Sequence, residues 1–186
     1  MIFRLVLPFA NRSADPDAEY LSDGISESLI DSLSQIPDLT VRPRSSVVRY
    51  KNKNIDPQTV ARELHVQAVV IGHVREEAGS LVVSTELVDA SKNRSLWGET
   101  YDRKLSDVLY MEREIALEIS ARLRQKLTQE QKRQLTKNGT ADPQAYEFYL
   151  EGRYYWEKWT ISDGGSENAT EEAFRVLFVN DIERVL

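Results

Sequence analysis

The chain has 186 residues, a net charge of −6 and 41% hydrophobic residues, enough for one domain of ordinary size with a buried core and an appendage. Acidic and basic side chains interleave, which argues against a nucleic-acid footprint. With no cysteine, disulfide frameworks, thiolate zinc sites and a cysteine nucleophile are excluded, and the composition suits the cytoplasm and the bacterial periplasm equally.

The opening MIFRLVLPFANRS is apolar only briefly and is interrupted by Arg4, unlike a signal peptide. No segment approaches the roughly 20 apolar residues of a membrane span, so the chain reads as soluble, cytoplasmic or periplasmic according to its parent protein. Ile2 to Phe9 is a β-rich run closed by Pro8, and a strand starting so near Met1 suggests a chain cut from something longer. Asp15-Pro16 then offers an N-cap and an N1 proline, and Leu21, Ile25, Leu29, Leu33 and Ile36 recur at helical spacing. Pro37 stops this helix, Leu39 to Arg42 reads as a short strand, and Asp56-Pro57 opens a second helix through Leu64. Val66 to Glu77, Leu81 to Asp89 and Leu96 to Arg103 follow as three strands joined by Gly79-Ser80 and the SKNRS turn.

Ser106 stands as the N-cap of a long helix whose stripe runs through Val108, Met111, Ile115, Ile119, Leu123 and Leu127. The order β-α-β-α-β-β-β-α predicts an α/β fold with a mixed sheet, because the first crossovers are helical and the last strands are joined by tight turns. Residues 1–127 form this domain and the polar stretch 128–142 reads as a helical linker. Residues 143–186 form a helical appendage opened by Asp142-Pro143, with a last helix near Thr170 to Val185.

The ordered blocks RLVLPFANRSADPDAEYLSDGISESLIDSLSQI, LTVRPRSSVVRYK, ARELHVQAVVIGHVR, LVVSTELVDASKNRSLWGETYDRKL and EREIALEISARLRQKL resemble the TolB-amino-terminal-like (FlgO-like) domain. That resemblance spans Ile2 to Leu127 and implies a three-layer sandwich on a five-stranded mixed sheet. It also implies a place in bacterial signalling proteins, beside a serine/threonine kinase, an adenylate cyclase or a winged-helix segment and before tetratricopeptide repeats. AYEFYLEGRYYW is similar to the first helix of such a repeat through Phe148, Gly152 and Tyr155, although Glu151 stands where leucine is preferred and no clean second helix follows. One repeat cannot bury its own face, which again implies a truncated relative of a longer protein.

Gly24, Ser28 and Ser32 stand at i, i+4 and i+8 on the first helix, a small-residue ridge read as close packing on the sheet, since no glycine-rich strand-to-helix turn precedes it. Asp15, Asp17, Glu19, Asp23 and Glu27 read as a solvated helix start favoured by the dipole, not a metal site. His65 and His73 lack HExxH spacing and read as structural. No phosphate loop, GxSxG, kinase loop or zinc spacing is present, so no catalytic residue, metal or cofactor is expected. Any kinase or cyclase activity would belong to another part of the parent.

The sequence therefore reads as a non-catalytic protein-interaction or sensory module, the alternative being a small-ligand or nucleotide-binding regulatory domain. For that alternative, Arg42, Arg44, Ser45, Ser46 and Arg49 are the candidate anion contacts, because they follow a strand end. Ser45 or Ser46 as a helix cap is the plainer reading. Trp97 and Tyr101 alternate on one strand face and read as core. Tyr146, Tyr149, Tyr154, Tyr155 and Trp156, with Phe148 and Trp159, cannot all hide on one helix face and mark the partner-binding segment. The glycosylation sequons at Asn11, Asn93, Asn138 and Asn168 read as coincidence.

Overall fold

The computed structural model describes residues 3–36, 39–53, 55–123, 128–129 and 143–161. The last helix expected near Thr170, the linker from 130 to 142 and the end of the long helix at Leu127 lie outside the described residues. The chain divides into two units, Met1–Gly139 and Thr140–Leu186.

The first unit is an α/β fold on a mixed, open, six-stranded sheet. Its strands are β1 (Phe3–Val6), β2 (Ala10–Asn11), β3 (Thr40–Val41), β4 (Ala68–Glu77), β5 (Ser80–Asp89) and β6 (Arg94–Lys104). The helices are α1 (Glu19–Ser34), α2 (Arg44–Val47), α3 (Pro57–Leu64) and α4 (Val108–Arg122). The order across the sheet is β3-β1-β4-β5-β6, with β2 also pairing β4. β1 runs parallel to β3 and β4, while β4, β5 and β6 form an antiparallel meander.

The sixth strand is the addition to the five expected. Pro8 has no N–H to give the ladder, so the run Ile2 to Phe9 does not continue as one strand. Arg4 pairs with Ala68 but Ala10 pairs with His73, so the break absorbs one extra residue before the chain rejoins β4. That extra residue places the Phe9 ring over Gly72 and lets the Phe9 N–H donate to Ser26 Oγ of α1 at 2.8 Å.

Register sorts the sheet into two faces. Val70, Val74, Leu81, Val83, Leu87, Trp97 and Tyr101 share one face and are all buried, and α4 packs there on β6 and on α1. On the other face Val69 and its partner Val88 are buried at the end where α3 packs on β4. Beyond α3 the same face carries half-buried Ile71, His73, Ser84 and Glu86 and exposed Gly98 and Thr100. Helices on both sides make the three layers, but the second helical layer covers only part of the sheet.

The cap expected at Asp56 forms. Asp56 Oδ2 accepts from the Thr59 N–H at 3.1 Å with Pro57 in the first turn, as expected. Ahead of α1 and α4, single 3-10 turns at Pro16–Ala18 and Leu105–Asp107 tighten the entry, and α4 begins without a side-chain cap from Ser106. At the middle of the small-residue ridge, Ser28 Oγ donates to Glu112 Oε2 at 2.7 Å, so Ser28 faces α4 and not the sheet. Ser26 lies on the sheet side, where it accepts from the Phe9 N–H.

In the second unit, α5 (Pro143–Ile161) is a helix on which Tyr146 and Leu150 are buried while Tyr149 and Tyr155 are exposed.

Two measurements test this packing. A Cβ at Gly72 would sit 2.6 Å from Phe9 Cε2 and 2.7 Å from the Ser84 carbonyl oxygen, so Gly72→Ala should lower unfolding stability by about 1–3 kcal/mol in urea. An unchanged midpoint would show that Phe9 does not seat there. The Tyr101 hydroxyl is buried with no hydrogen-bond partner among the described residues, and burial, then Glu114, Glu118 and Glu99, push its pKa up to about 12. Tyr101→Phe should therefore be neutral or stabilising by up to about 1 kcal/mol. Because the folded pKa lies above the ordinary value of 10.0, the neutral phenol's contribution is complete below that pH and fades as pH rises toward 12. The wild type should accordingly lose ground to Tyr101→Phe across that alkaline window.

Candidate functional site

The carboxyl end of β1 is where an open α/β sheet ordinarily offers a binding crevice. Here Pro8 meets the side of α1 and the turn α2, in a shallow crevice walled by Asp23, Glu27, Arg44, Val48 and Lys51. The crevice is closed by charge pairing. Lys51 Nζ bridges Glu19 Oε1 at 2.6 Å and Asp23 Oδ2, while Arg44 Nε lies 3.7 Å from Glu27 Oε2. Glu19 in the first turn of α1, and Asp23 and Glu27 one and two turns further on, thus face two bases across the groove instead of open solvent.

Burial dominates the Asp23 carboxyl and raises its pKa, against the opposing pull of Lys51 and Arg44. At Lys51 burial alone would lower the pKa, but hydrogen bonds to Asp23 and Glu19 together outweigh it and the result is a raised value.

The residues expected to bind an anion are placed in separate roles. Arg42 turns to α3, where Nε and Nη2 donate to the Leu64 carbonyl at 3.1 and 2.7 Å and cap that helix's carbonyl end. Arg49 Nη2 donates to the Tyr50 hydroxyl at 2.6 Å and lies 3.5 Å from Glu63 Oε2. Arg44 turns the opposite way, to Glu27 of α1. Ser46 N–H donates to the Pro43 carbonyl at 3.0 Å, and neither Ser45 nor Ser46 caps α2, whose cap position is Pro43. The missed members of the crevice, Asp23 and Lys51, had no short-range signal, since they lie 28 residues apart.

His65 is the left-handed residue (φ 53°) that ends α3. His73 lies on the sheet face away from α1 and α4, its pKa lowered by partial burial and by Arg12 and Arg75. On α5, Tyr149 and Tyr155 are exposed and Tyr146 is buried, with Tyr154 half-buried; the side chain of Trp156 is outside the described residues. Arg153 stacks 5.3 Å from the Tyr149 ring centre and donates to its hydroxyl at 3.2 Å. Among the described residues no group of three or more His, Asp or Glu converges as metal ligands. Nor is any helix among them long and apolar enough to cross a membrane.

Residues 5–116, the span of this sheet and its helices, match the family described as HilA/YgeH-like transcriptional regulator, second domain. The chain belongs to that family. This HilA/YgeH-like second domain is also 38% identical over 148 residues to a Rhizobium meliloti (strain 1021) protein named adenylate cyclase 3. The match takes in 80% of the chain but only 25% of that relative, so the chain spans about a quarter of the relative's length. Among solved structures it is similar to TolB from Acinetobacter baumannii, at TM-score 0.49 and 17% identity over 66% of this chain and 28% of that one. It is also similar to lipoprotein GNA1162 from Neisseria meningitidis, at TM-score 0.48 and 20% identity over 69% of this chain and all of the other.

The bridge at the crevice gives a direct test. Lys51→Met leaves Glu19 and Asp23 facing each other and should lower stability by about 1–3 kcal/mol. Asp23→Asn should lower it less, because the charged carboxylate already suffers from burial. Since the Asp23 pKa is raised in the folded state, its stabilising share is complete at low pH and is lost as pH rises through the folded value. The gap between wild type and Asp23→Asn should therefore narrow from acid to neutral pH; a gap that widens would invert the assignment.

Proposed function

We propose that the chain is a non-catalytic protein-interaction or sensory module of a bacterial signalling protein, carried in a longer chain. One observation bears most of the weight. The same domain belongs to a family described from transcriptional regulators and also makes up a quarter of a protein named as an adenylate cyclase, two outputs with no chemistry in common. A part shared by unlike outputs is better suited to input or assembly than to the output reaction.

In this reading residues 1–127 are a TolB-amino-terminal-like domain, residues 128–142 a linker, and residues 143–186 the start of a tetratricopeptide array that engages protein partners. Exposed Tyr149 and Tyr155, with Tyr154 and Trp156 nearby in sequence, are the anchors for such a partner, supported by the amphipathic reach of tyrosine at interfaces. Cyclase or kinase chemistry belongs to other parts of the parent, and the compartment follows the parent as well.

Limited proteolysis with fragment masses tests the division. A fragment ending between Leu127 and Lys137 should persist while residues beyond 143 are digested; equal protection of the tail would argue for a single unit. In parallel, the purified chain should form no cyclic AMP from ATP. Turnover that disappears on a point change in a defined pocket would overturn the non-catalytic reading.

A further inference from the structure

The sheet face left open beyond α3 is hollowed into a cleft of about 770 Å³, within the roughly 300–1,000 Å³ of small-molecule sites. Its floor follows from register. Ala10, His73, Ser84 and Thr100 stand side by side on β2, β4, β5 and β6, and the next row on that face holds Ile71, Glu86 and Gly98. Ser84 Oγ and Thr100 Oγ1 lie 3.0 Å apart and share one hydrogen bond, so one hydroxyl proton remains for another acceptor.

Charge is separated along this floor. Arg12 is fixed just beyond β2 by its N–H, which donates to the Val74 carbonyl at 2.7 Å. Arg12 lines the cleft, and its guanidinium has neither hydrogen-bond acceptor nor carboxylate partner among the described residues, unlike Arg42, Arg44 and Arg49. His73 stands beside it. Glu86 lines the other end, also without a partner among the described residues, and a strand rise of about 3.4 Å per residue sets its row roughly 7 Å from the hydroxyl row.

We infer that this cleft binds a small solute that sets a carboxylate or phosphate against Arg12 and His73 and an ammonium or hydroxyl group against Glu86, its body lying over Ile71 and the Ser84–Thr100 pair. Arg12 supplies a charge-assisted fork for the anion and His73 an N–H donor. The carboxylate of Glu86 repels a second anion, which favours a ligand with unlike ends over a dicarboxylate. The inference stands apart from the interaction-module reading, since a chain can assemble with partners whether or not this face takes a solute.

The test is an NMR titration of the 15N-labelled full chain at pH 7 and constant ionic strength with L-glutamate, with glutarate, which lacks its ammonium group, and with inorganic phosphate. Saturable shifts are expected at the amides of Arg12, His73, Ser84 and Thr100, with L-glutamate binding several-fold tighter than glutarate. Arg12→Ala, a change at an exposed side chain, should weaken all three probes at least tenfold. Glu86→Gln should abolish the preference for L-glutamate over glutarate. No saturable shift with any probe, shifts centred instead on Arg44 and Lys51, or binding undiminished in Arg12→Ala would each overturn the inference.

Discussion

The contact on which the fold turns is the seating of Phe9 on Gly72. Pro8 breaks the first strand, one extra residue is taken up, and Phe9 swings onto the covered face, where its ring fills the space that a side chain at position 72 would need. Its N–H donates to Ser26 Oγ, and that hydroxyl in turn donates to the Ser22 carbonyl, so the orphan amide beside the proline is satisfied from α1. Burying a phenylalanine ring contributes about 1.5–3 kcal/mol and the hydrogen bond about 1 more, which is a large share of a small domain's stability. The same contact fixes three elements at once: α1 against the sheet, β2 on β4, and the rim residue Arg12 that follows β2.

Electrostatics takes over where the apolar core ends. At the outer side of α1, Glu19, Asp23 and Glu27 have two bases across the crevice, Lys51 and Arg44, and the crevice is therefore filled by the protein's own side chains. On the open sheet face Arg12 and Glu86 have no such partners among the described residues. The distinction separates charge that holds the structure together from charge left available. In the arginine-rich segment after β3, Arg42 serves the carbonyl end of α3, Arg44 serves α1, and Arg49 serves Tyr50 and Glu63.

Much of the framework was legible in the chain because it is written in local periodicity. Strict alternation in Leu81 to Asp89 and the i, i+4 stripe of Leu21, Ile25, Leu29 and Leu33 each depend on one burial boundary, and both appear where expected. The Asp56-Pro57 cap is equally local and equally correct. What escaped the sequence depends on long-range partners. Ser28 looked like a contact with the sheet until its partner Glu112 was known, 84 residues away. The strand β2 is two residues long and exists only because β4 offers it a ladder, and a two-residue strand has no period to detect. The arginines after β3 share a stretch of sequence, yet α2 and the following turn send them in opposite directions. The same rotation brings Lys51 to Asp23, a pairing no spacing rule anticipates.

The covered and open faces are cut from the same strands, so they are not independent surfaces. Gly72 carries the Phe9 contact and its neighbour His73 lines the cleft; Thr85 is buried beneath the helices and Glu86 stands in the cleft; Tyr101 is core and Thr100 is floor. Because side chains alternate with a period of two, any shift in register that disturbed the core would move the cleft residues to the wrong face at the same time. The strongest local clamp on that register is the break at Pro8, where Phe9 and Gly72 admit one alignment of β2 on β4. Arg12 is placed by that alignment together with its own N–H, which donates to the Val74 carbonyl. The packing that makes the domain stable is for this reason the packing that decides which charges face solvent on its open side, and a substitution chosen to alter one should be read for its effect on the other.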